Sequence, residues 1–195
     1  IAWLQPIADA VKMIFKEDIW PSAADKITYT IAPGIAVATA LLAWAVIPLH
    51  PTTTIFDYKI DFYIADVNIA VLYLLAMGSL GVYGIVLGGW GSNNKYSMFG
   101  ALRSTAQMIS YEISLGLALV GVLMISGSLS LVDITAKQST IWNIVWQPLG
   151  FIIYMIAATA EINRLPFDLP EAETELVAGY QTEYSSLKFA LFYMA

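Results

Sequence analysis

Long apolar segments alternate with short polar connections along most of this sequence. A helix needs about 20 mostly apolar residues to cross a bilayer, and the segments that provide them are Ile27–Leu49, Val67–Leu87, Ala101–Ile125 and Ile141–Ala160. A further apolar run begins at Phe189 and continues to the end of the sequence. We therefore predict an all-α membrane protein, a polytopic bundle of transmembrane helices that forms one membrane domain over residues 1–195.

Residues 2–18 follow a different pattern. Apolar side chains recur there at helical spacing, and polar side chains, among them Gln5 and Asp9, form the opposite stripe. The pattern predicts an amphipathic helix that lies along the membrane surface. The alternative is an ordinary amphipathic helix packed on a soluble domain.

The second predicted span carries Gly78, Gly81, Gly84 and Gly88. Small residues at such spacing let a neighbouring membrane helix approach closely. We predict helix packing along this stripe and assign no chemistry to it.

Basic residues are distributed unevenly between the two predicted sides of the membrane. One side carries Lys12, Lys16, Lys26, Lys95, Arg103, Arg164 and Lys188, and the other carries Lys59 and Lys137. Connections rich in Lys and Arg stay in the cytoplasm. The opening segment and the connections 88–95 and 161–188 are therefore predicted to be cytoplasmic.

Composition narrows the possible functions. Hydrophobic residues make up 58% of the sequence and charged residues 12%, with a mean hydropathy of +0.69. Cysteine is absent and His50 is the single histidine, which excludes a thiolate-bound iron–sulfur cluster or a His-rich metal site in this sequence. The net charge of −6 does not suggest nucleic-acid binding. Because the sequence starts at Ile1 and stops within an apolar run, we expect it to be a fragment of a longer protein, with material missing at both ends.

The third predicted span contains Arg103, Gln107 and Glu112 among apolar residues. An ionised carboxylate at membrane depth is costly, so such residues usually face the protein interior and mark proton or ion paths. A purely structural role for Glu112, through a hydrogen bond or a pair with Arg103, is the alternative.

The connection 161–183 is strongly acidic. It contains Glu161, Asp168, Glu171, Glu173, Glu175 and Glu183 against the single base Arg164. Pro166 and Pro170 interrupt the preceding helix and Gly179 is a typical helix stop, so a short helix is predicted from Pro170 to Ala178. Glu171 and Glu175 share one face of it and Glu173 points nearly opposite. A solvated acidic loop, with acids favoured by the helix dipole, and a proton relay are equally open interpretations.

Three stretches resemble one known family. The run RLPFDLPEAETELVAGYQTEYSSLKFALFYMA, which starts at Arg164, is similar to the NuoH-type membrane subunit of respiratory complex I. The similarity extends to LQPIADAVKMIFKED at Leu4–Asp18 and to SNNKYSMFGALRSTAQMISYE at Ser92–Glu112.

The resemblance implies a subunit of a proton-translocating NADH:quinone oxidoreductase, with quinone as substrate and no complete active site in this chain alone. It implies partners that hold the FMN and the iron–sulfur clusters: the quinone-chamber and terminal iron–sulfur subunits of the peripheral arm. Small membrane subunits, antiporter-like subunits and lipid are further implied neighbours. Leu165 stands where mitochondrial relatives usually carry Thr, which favours a bacterial inner membrane.

The resemblance also implies roles for particular residues. The implied proton path consists of Glu112, Glu161, Glu171, Glu173, Glu175 and Glu183. The implied vicinity of the quinone chamber consists of Arg164, Phe167, Asp168, Gln5 and Asp9. Two other functions fit the same residues: the anchor subunit of a related membrane-bound hydrogenase or ferredoxin-driven photosynthetic complex, and a stand-alone secondary transporter.

Overall fold

Helices dominate the computed structural model, which describes residues 5–50, 53–55, 58–60, 62–139, 141–169 and 177–194. The helices are α1 (Gln5–Phe15), α2 (Lys26–Trp44), α3 (Ala70–Gly91), α4 (Lys95–Ser126), α5 (Leu131–Lys137), α6 (Asn143–Trp146), α7 (Pro148–Glu161) and α8 (Ser186–Met194). A 3-10 turn covers Gly179–Gln181. An antiparallel hairpin of β1 (Thr53–Ile55) and β2 (Tyr58–Ile60) joins α2 to α3 and was not predicted.

Within the described residues, α2, α3 and α4 are each long and apolar enough to cross a membrane. They occupy the first three predicted spans with shifted ends, because α2 stops at Trp44 and α4 already starts at Lys95. A multi-pass membrane protein built as a helical bundle is therefore confirmed. With 32 residues, α4 is about 48 Å long at 1.5 Å per residue, which exceeds the hydrocarbon thickness of about 30 Å.

Capping residues explain where these helices begin and end. The Asn94 side chain accepts a hydrogen bond from the Tyr96 amide at 2.9 Å, so α4 starts at its polar cap instead of at its first apolar residue. Asp25 caps α2 in the same way, and its hydrogen bond from the Thr28 hydroxyl lowers the pKa of the Asp25 carboxyl. Gly127 ends α4 in the left-handed conformation, with φ 63°.

The prediction of one continuous fourth span over residues 141–160 is wrong. The segment consists of α6 and α7, which are separated at Gln147. Pro148 is the first residue of α7, a position where the missing amide hydrogen costs nothing. With 14 residues, α7 is about 21 Å long, so it is shorter than the hydrocarbon layer.

Backbone contacts sort the connections onto two ends of the bundle. At one end, the Asp25 amide donates to the Gly91 carbonyl at 3.0 Å, and the Asn93 side chain donates to the Ala23 carbonyl at 3.0 Å. At the other end, the Ala65 amide donates to the Ala45 carbonyl at 2.9 Å. The grouping of the connections is that expected from the distribution of basic residues, with Lys26 and Lys95 at the first end and Lys137 at the second.

The glycine stripe of α3 packs closely, as predicted. A Cβ atom on Gly84 would lie 3.0 Å from Ala36 of α2, and one on Gly88 would lie 2.8 Å from the Phe192 ring of α8. Tyr184 lies at the same contact. Its ring packs edge-on against that of Phe192, with centroids 4.8 Å apart, and stacks on that of Tyr29, with centroids 4.2 Å apart. Burial raises the pKa of the Tyr184 phenol, which therefore stays neutral as a hydrogen-bond donor to the Tyr29 carbonyl at 3.2 Å.

The start of α8 holds the end of α1. The Ser186 hydroxyl lies 3.1 Å from the Met13 carbonyl and 2.7 Å from the Lys16 carbonyl. The Lys188 ammonium pairs with Asp18 at 2.8 Å and lies 3.3 Å from the Trp20 ring centroid. The C-terminal end of α1 is thereby fixed to the bundle, although most of its described side chains are exposed.

Gly100 on α4 provides a test of the packing in the bundle. A Cβ atom there would lie 2.6 Å from the Gly179 and Tyr180 backbone, which cannot give way as a side chain can. We expect Gly100→Ala to destabilise the protein by about 1–3 kcal/mol, the usual cost of overpacking. Thermal unfolding of the purified protein measures the effect as a lowered midpoint.

Gly116→Ala is the matched control, because a Cβ atom at this position on the same helix would meet nothing within 4 Å. Alanine in a helix interior is also more stable than glycine by about 1 kcal/mol. The control should therefore keep or slightly raise the unfolding midpoint. Equal midpoints for the two variants would contradict the close approach at Gly100.

Candidate functional site

Two helices bring Glu112 next to a hydroxyl group. Glu112 lies on α4, and its half-buried carboxylate accepts a hydrogen bond from Ser79 of α3. The Ser79 hydroxyl also lies 3.1 Å from the Leu75 carbonyl, one turn earlier on α3. Sequence reasoning did not identify Ser79, because a serine in an apolar helix usually bonds only to its own backbone.

Glu161, the last residue of α7, lies on the same side of α3. A Cβ atom on Gly78 would be 3.4 Å from Glu161 Oε1, an ordinary van der Waals contact, so the carboxylate lies beside Gly78. Glu112 is a charged neighbour that acts on Glu161 electrostatically. The structure thus brings together Glu112 and Glu161, two carboxylates that are 49 positions apart in the sequence.

Glu161 also faces a cavity of about 730 Å³. Arg164 and Asp168 line the same cavity, whose remaining wall is formed largely by apolar residues of α2, α3 and α8, among them Ile85 and Phe192. One carboxylate oxygen of Asp168, Oδ1, is buried and has no hydrogen-bond partner among the described residues. The cavity therefore brings polar groups of the loop after α7 next to apolar residues of the helices.

Phe167 precedes Asp168 and fixes this part of the loop to α4. Its ring packs edge-on against Tyr111, with centroids 5.3 Å apart. Of the residues expected near a quinone chamber, Arg164, Phe167 and Asp168 thus lie together on one loop that borders the cavity.

Gln107 of α4 holds the same loop through hydrogen bonds. Its side-chain amide nitrogen lies within hydrogen-bond distance of three oxygens: the Ala160 carbonyl at 2.7 Å, the Phe167 carbonyl at 2.9 Å and Asn163 Oδ1 at 3.1 Å. Asn163 adopts a left-handed backbone conformation, φ 49°, and donates in turn to the buried Ser104 hydroxyl at 3.2 Å. The sequence pattern singled out Gln107 without indicating a role; the signal was a glutamine in an apolar helix.

Glu183 lies apart from this pair of carboxylates. Its side chain accepts a hydrogen bond from the Asn94 amide group at 2.5 Å, and its backbone carbonyl accepts one from the Tyr29 hydroxyl at 2.6 Å. Glu183 lines a separate, open cavity of about 540 Å³ beside Lys95. It is therefore not in contact with the cavity that Glu161 faces.

Gln5 and Asp9 are not brought to the cavity. They bond to each other on α1 at 3.3 Å and are exposed. Glu171, Glu173 and Glu175 lie outside the described residues, as does most of the short helix predicted from Pro170 to Ala178. No cluster of three or more potential metal ligands occurs in the part of the chain that the structure describes.

Comparisons with known proteins identify the family. The family model described as NADH dehydrogenase matches residues 1–195. The chain belongs to the NADH dehydrogenase family. The resemblance found in the sequence is thereby confirmed.

Several relatives within this family are more than half identical to the chain. The NADH-quinone oxidoreductase H subunit of Thermomicrobium roseum is 55% identical over 202 residues, covering 98% of this chain and 59% of the relative. The second NADH-quinone oxidoreductase H subunit of Geobacter metallireducens is 56% identical over 204 residues, again with 98% and 59% coverage. The chain thus spans 59% of the length of these NADH dehydrogenase family members.

Proposed function

We propose that this chain is the part of a proton-translocating NADH:quinone oxidoreductase subunit that borders the quinone chamber and begins the proton path. The observation that carries the proposal is the double placement of Glu161. Its carboxylate faces the cavity that Arg164 and Asp168 also line, and it lies within electrostatic reach of Glu112 in the neighbouring apolar helix. A change of charge in the cavity would therefore reach the membrane carboxylates.

Quinone reduction supplies such a change, because a quinone takes up electrons and protons together when it becomes a quinol. Arg164 and Asp168 would respond to the charge on the reacting quinone. Asp168 Oδ1, which has no hydrogen-bond partner among the described residues, can accept a hydrogen bond. Glu161 and Glu112 then exchange protons as the field in the cavity changes. We assign Glu183 and the acidic residues Glu171, Glu173 and Glu175 to the same path on the strength of family membership alone.

The proposed partners supply what this chain lacks. Peripheral-arm subunits with FMN and iron–sulfur clusters would deliver electrons to the quinone, since this sequence contains no cysteine. Small membrane subunits and antiporter-like subunits would cover exposed apolar faces such as that of Ile113 and Leu117 on α4, which are 64% and 68% exposed.

The names of the relatives support this proposal over the other two functions. Both relatives are named as H subunits of an NADH-quinone oxidoreductase, which favours an NADH-linked complex over a hydrogenase or ferredoxin-driven anchor. The cavity bordered by a surface-exposed loop supports a partner-dependent enzyme over a stand-alone transporter.

Two variants test the proposal in the complete complex, because one should change turnover and the other the KM for quinone. Glu161→Gln should lower quinone reduction and proton pumping with little change in the KM for quinone, because it removes a proton carrier and keeps the shape. Asp168→Asn should mainly raise the KM. Asp133→Asn, which changes an aspartate at the opposite end of the bundle, is the matched control. Normal turnover and pumping in Glu161→Gln would contradict the proposal.

We also propose that the end of the bundle with Lys26 and Lys95 faces the cytoplasm of a bacterial cell, with α1 in the membrane interface. Since the chain has no cysteine, single cysteines report its sidedness. A cysteine at exposed Ser139 should react with an impermeant thiol reagent in intact cells. A cysteine at exposed Ser22 should react only in inverted vesicles stripped of the peripheral arm. The reverse pattern would overturn the topology.

A further inference from the structure

α3 contributes one hydroxyl group, that of Ser79, to the region where the carboxylates of Glu112 and Glu161 approach this helix. Ser79 donates to Glu112, and its immediate neighbour Gly78 provides the surface on which Glu161 lies. Apart from the tyrosine hydroxyls, the sequence of α3 contains no ionisable side chain. The role of α3 at this site is therefore one of placement, not of proton storage.

Ser79 has two acceptors within reach but a single hydrogen to donate. These acceptors are the Leu75 carbonyl, at 3.1 Å, and the Glu112 carboxylate. A hydroxyl group donates one hydrogen bond and accepts others, an ionised carboxylate only accepts, and a protonated carboxyl group can also donate. The hydrogen bonds that Ser79 can form therefore depend on whether Glu112 carries a proton.

We propose that Ser79 is a positioning residue whose hydroxyl alternates between Glu112 and the Leu75 carbonyl as Glu112 loses and gains its proton. With Glu112 ionised, Ser79 donates to the carboxylate. When a proton binds to a Glu112 oxygen, the new O–H group donates to Ser79 Oγ, and the Ser79 hydrogen turns to the Leu75 carbonyl. Ser79 keeps its own proton throughout, so the number of protons on the pair changes only at Glu112.

This arrangement keeps Glu112 in one place in both protonation states. A polar group without a partner is destabilising where water is excluded, and the alternation gives the half-buried pair of Ser79 and Glu112 a hydrogen bond in either state. Other ionisable groups near the pair are Glu161, which interacts with Glu112, and Arg164, Asp168, Tyr180 and Tyr193, which line the cavity behind Glu161. Ser79 thus maintains the distance between Glu112 and Glu161 across which the proton is passed.

The inference rests on the proposed function, so its test uses the full-length subunit in the assembled enzyme. Ser79→Ala removes the hydroxyl, and Ser79→Thr retains it. We expect Ser79→Ala to lower coupled quinone reduction about tenfold, in line with the loss of a hydrogen bond to a charged group. Ser79→Thr should restore most of the activity. Ser110→Ala on α4, whose hydroxyl bonds within the described residues only to the Ala106 carbonyl, at 2.7 Å, should behave like the wild type.

Infrared difference spectra provide a readout that a merely structural serine would not affect. The carboxyl band of Glu112, assigned by its loss in Glu112→Gln, should move to higher frequency in Ser79→Ala because the carboxyl group loses a hydrogen bond. It should stay in place in Ser110→Ala. Should Ser79→Ala fail to assemble, Ser79→Cys keeps the size with a weaker donor and serves for the same two measurements.

The outcomes distinguish the role of Ser79 from the proposed function. Wild-type turnover with an unmoved carboxyl band in the Ser79 variant, together with an inactive Glu112→Gln enzyme, would overturn the role of Ser79 and leave the proposed function intact. Wild-type turnover and pumping in Glu112→Gln would overturn the proposed function itself. Loss of turnover in Ser79→Ala, with an unmoved band and no rescue by Ser79→Thr, would also overturn the positioning role.

Discussion

Glu112→Gln is expected to leave the enzyme assembled but without most of its coupled quinone reduction and proton pumping. Glutamine has nearly the shape of glutamate and still accepts a hydrogen bond from Ser79 through its amide oxygen. It cannot bind or release a proton near neutral pH. Removal of a positioned proton carrier costs a reaction on the order of 10²-fold or more, so pumping by this variant should fall at least tenfold.

Glu112→Asp distinguishes chemistry from packing. Aspartate keeps the titratable group but shortens the side chain, so it should retain a measurable part of both activities. The measurements are quinone reduction and proton uptake in proteoliposomes with matched contents of assembled complex. A purely structural Glu112 predicts the opposite order, with Gln near the wild type and Asp impaired by its poorer reach to Ser79.

Hydropathy was enough to predict α2, α3 and α4, because a long uninterrupted apolar run has few alternatives to a membrane helix. Hydropathy failed at residues 141–160, because the whole segment is apolar enough to be read as one span. The decisive residue there is Pro148, whose preference for the first turn of a helix separates α6 from α7 without any change in hydropathy. The hairpin 53–60 was not predicted because its strands are only three residues long, too short for an alternating pattern to be recognised.

The candidate site was only partly predictable. Glu112 was identified as an acid in an apolar segment, and Glu161 as part of an acidic connection that resembles the family. The packing of α3 and α7 against α4 then brings them together. Nothing in the sequence placed Glu183 away from them, because its position depends on a hydrogen bond from Asn94, 89 residues earlier. Ser79 and Gln107 are uncharged, and their importance becomes visible only through the partners that the fold provides.

Gln107→Met is expected to loosen the loop that carries Arg164 and Asp168. Methionine fills nearly the same volume and suits a helix, but it donates no hydrogen bond. The two hydrogens of the Gln107 amide are shared by the Ala160 carbonyl, the Phe167 carbonyl and Asn163 Oδ1, at distances of 2.7 to 3.1 Å. Without them the Ala160 carbonyl keeps a hydrogen bond from the Asn163 amide at 3.2 Å, whereas the Phe167 carbonyl and Asn163 Oδ1 lose the hydrogen bond from Gln107. A buried group left without a partner costs about 1–3 kcal/mol, so the attachment of residues 162–169 to α4 should weaken.

A loosened loop should affect quinone binding before it affects assembly. We expect the KM for quinone to rise about tenfold in Gln107→Met, equivalent to about 1.4 kcal/mol, with a smaller loss of maximal turnover. Hydrogen exchange of the amides in 162–169 should become faster in the assembled complex. Thr105→Val is the matched control on the same helix, because the Thr105 hydroxyl bonds only to the Ala101 carbonyl, at 2.8 Å, in the part of the chain that the structure describes. Unchanged exchange in 162–169 together with an unchanged KM would show that Gln107 does not hold the loop.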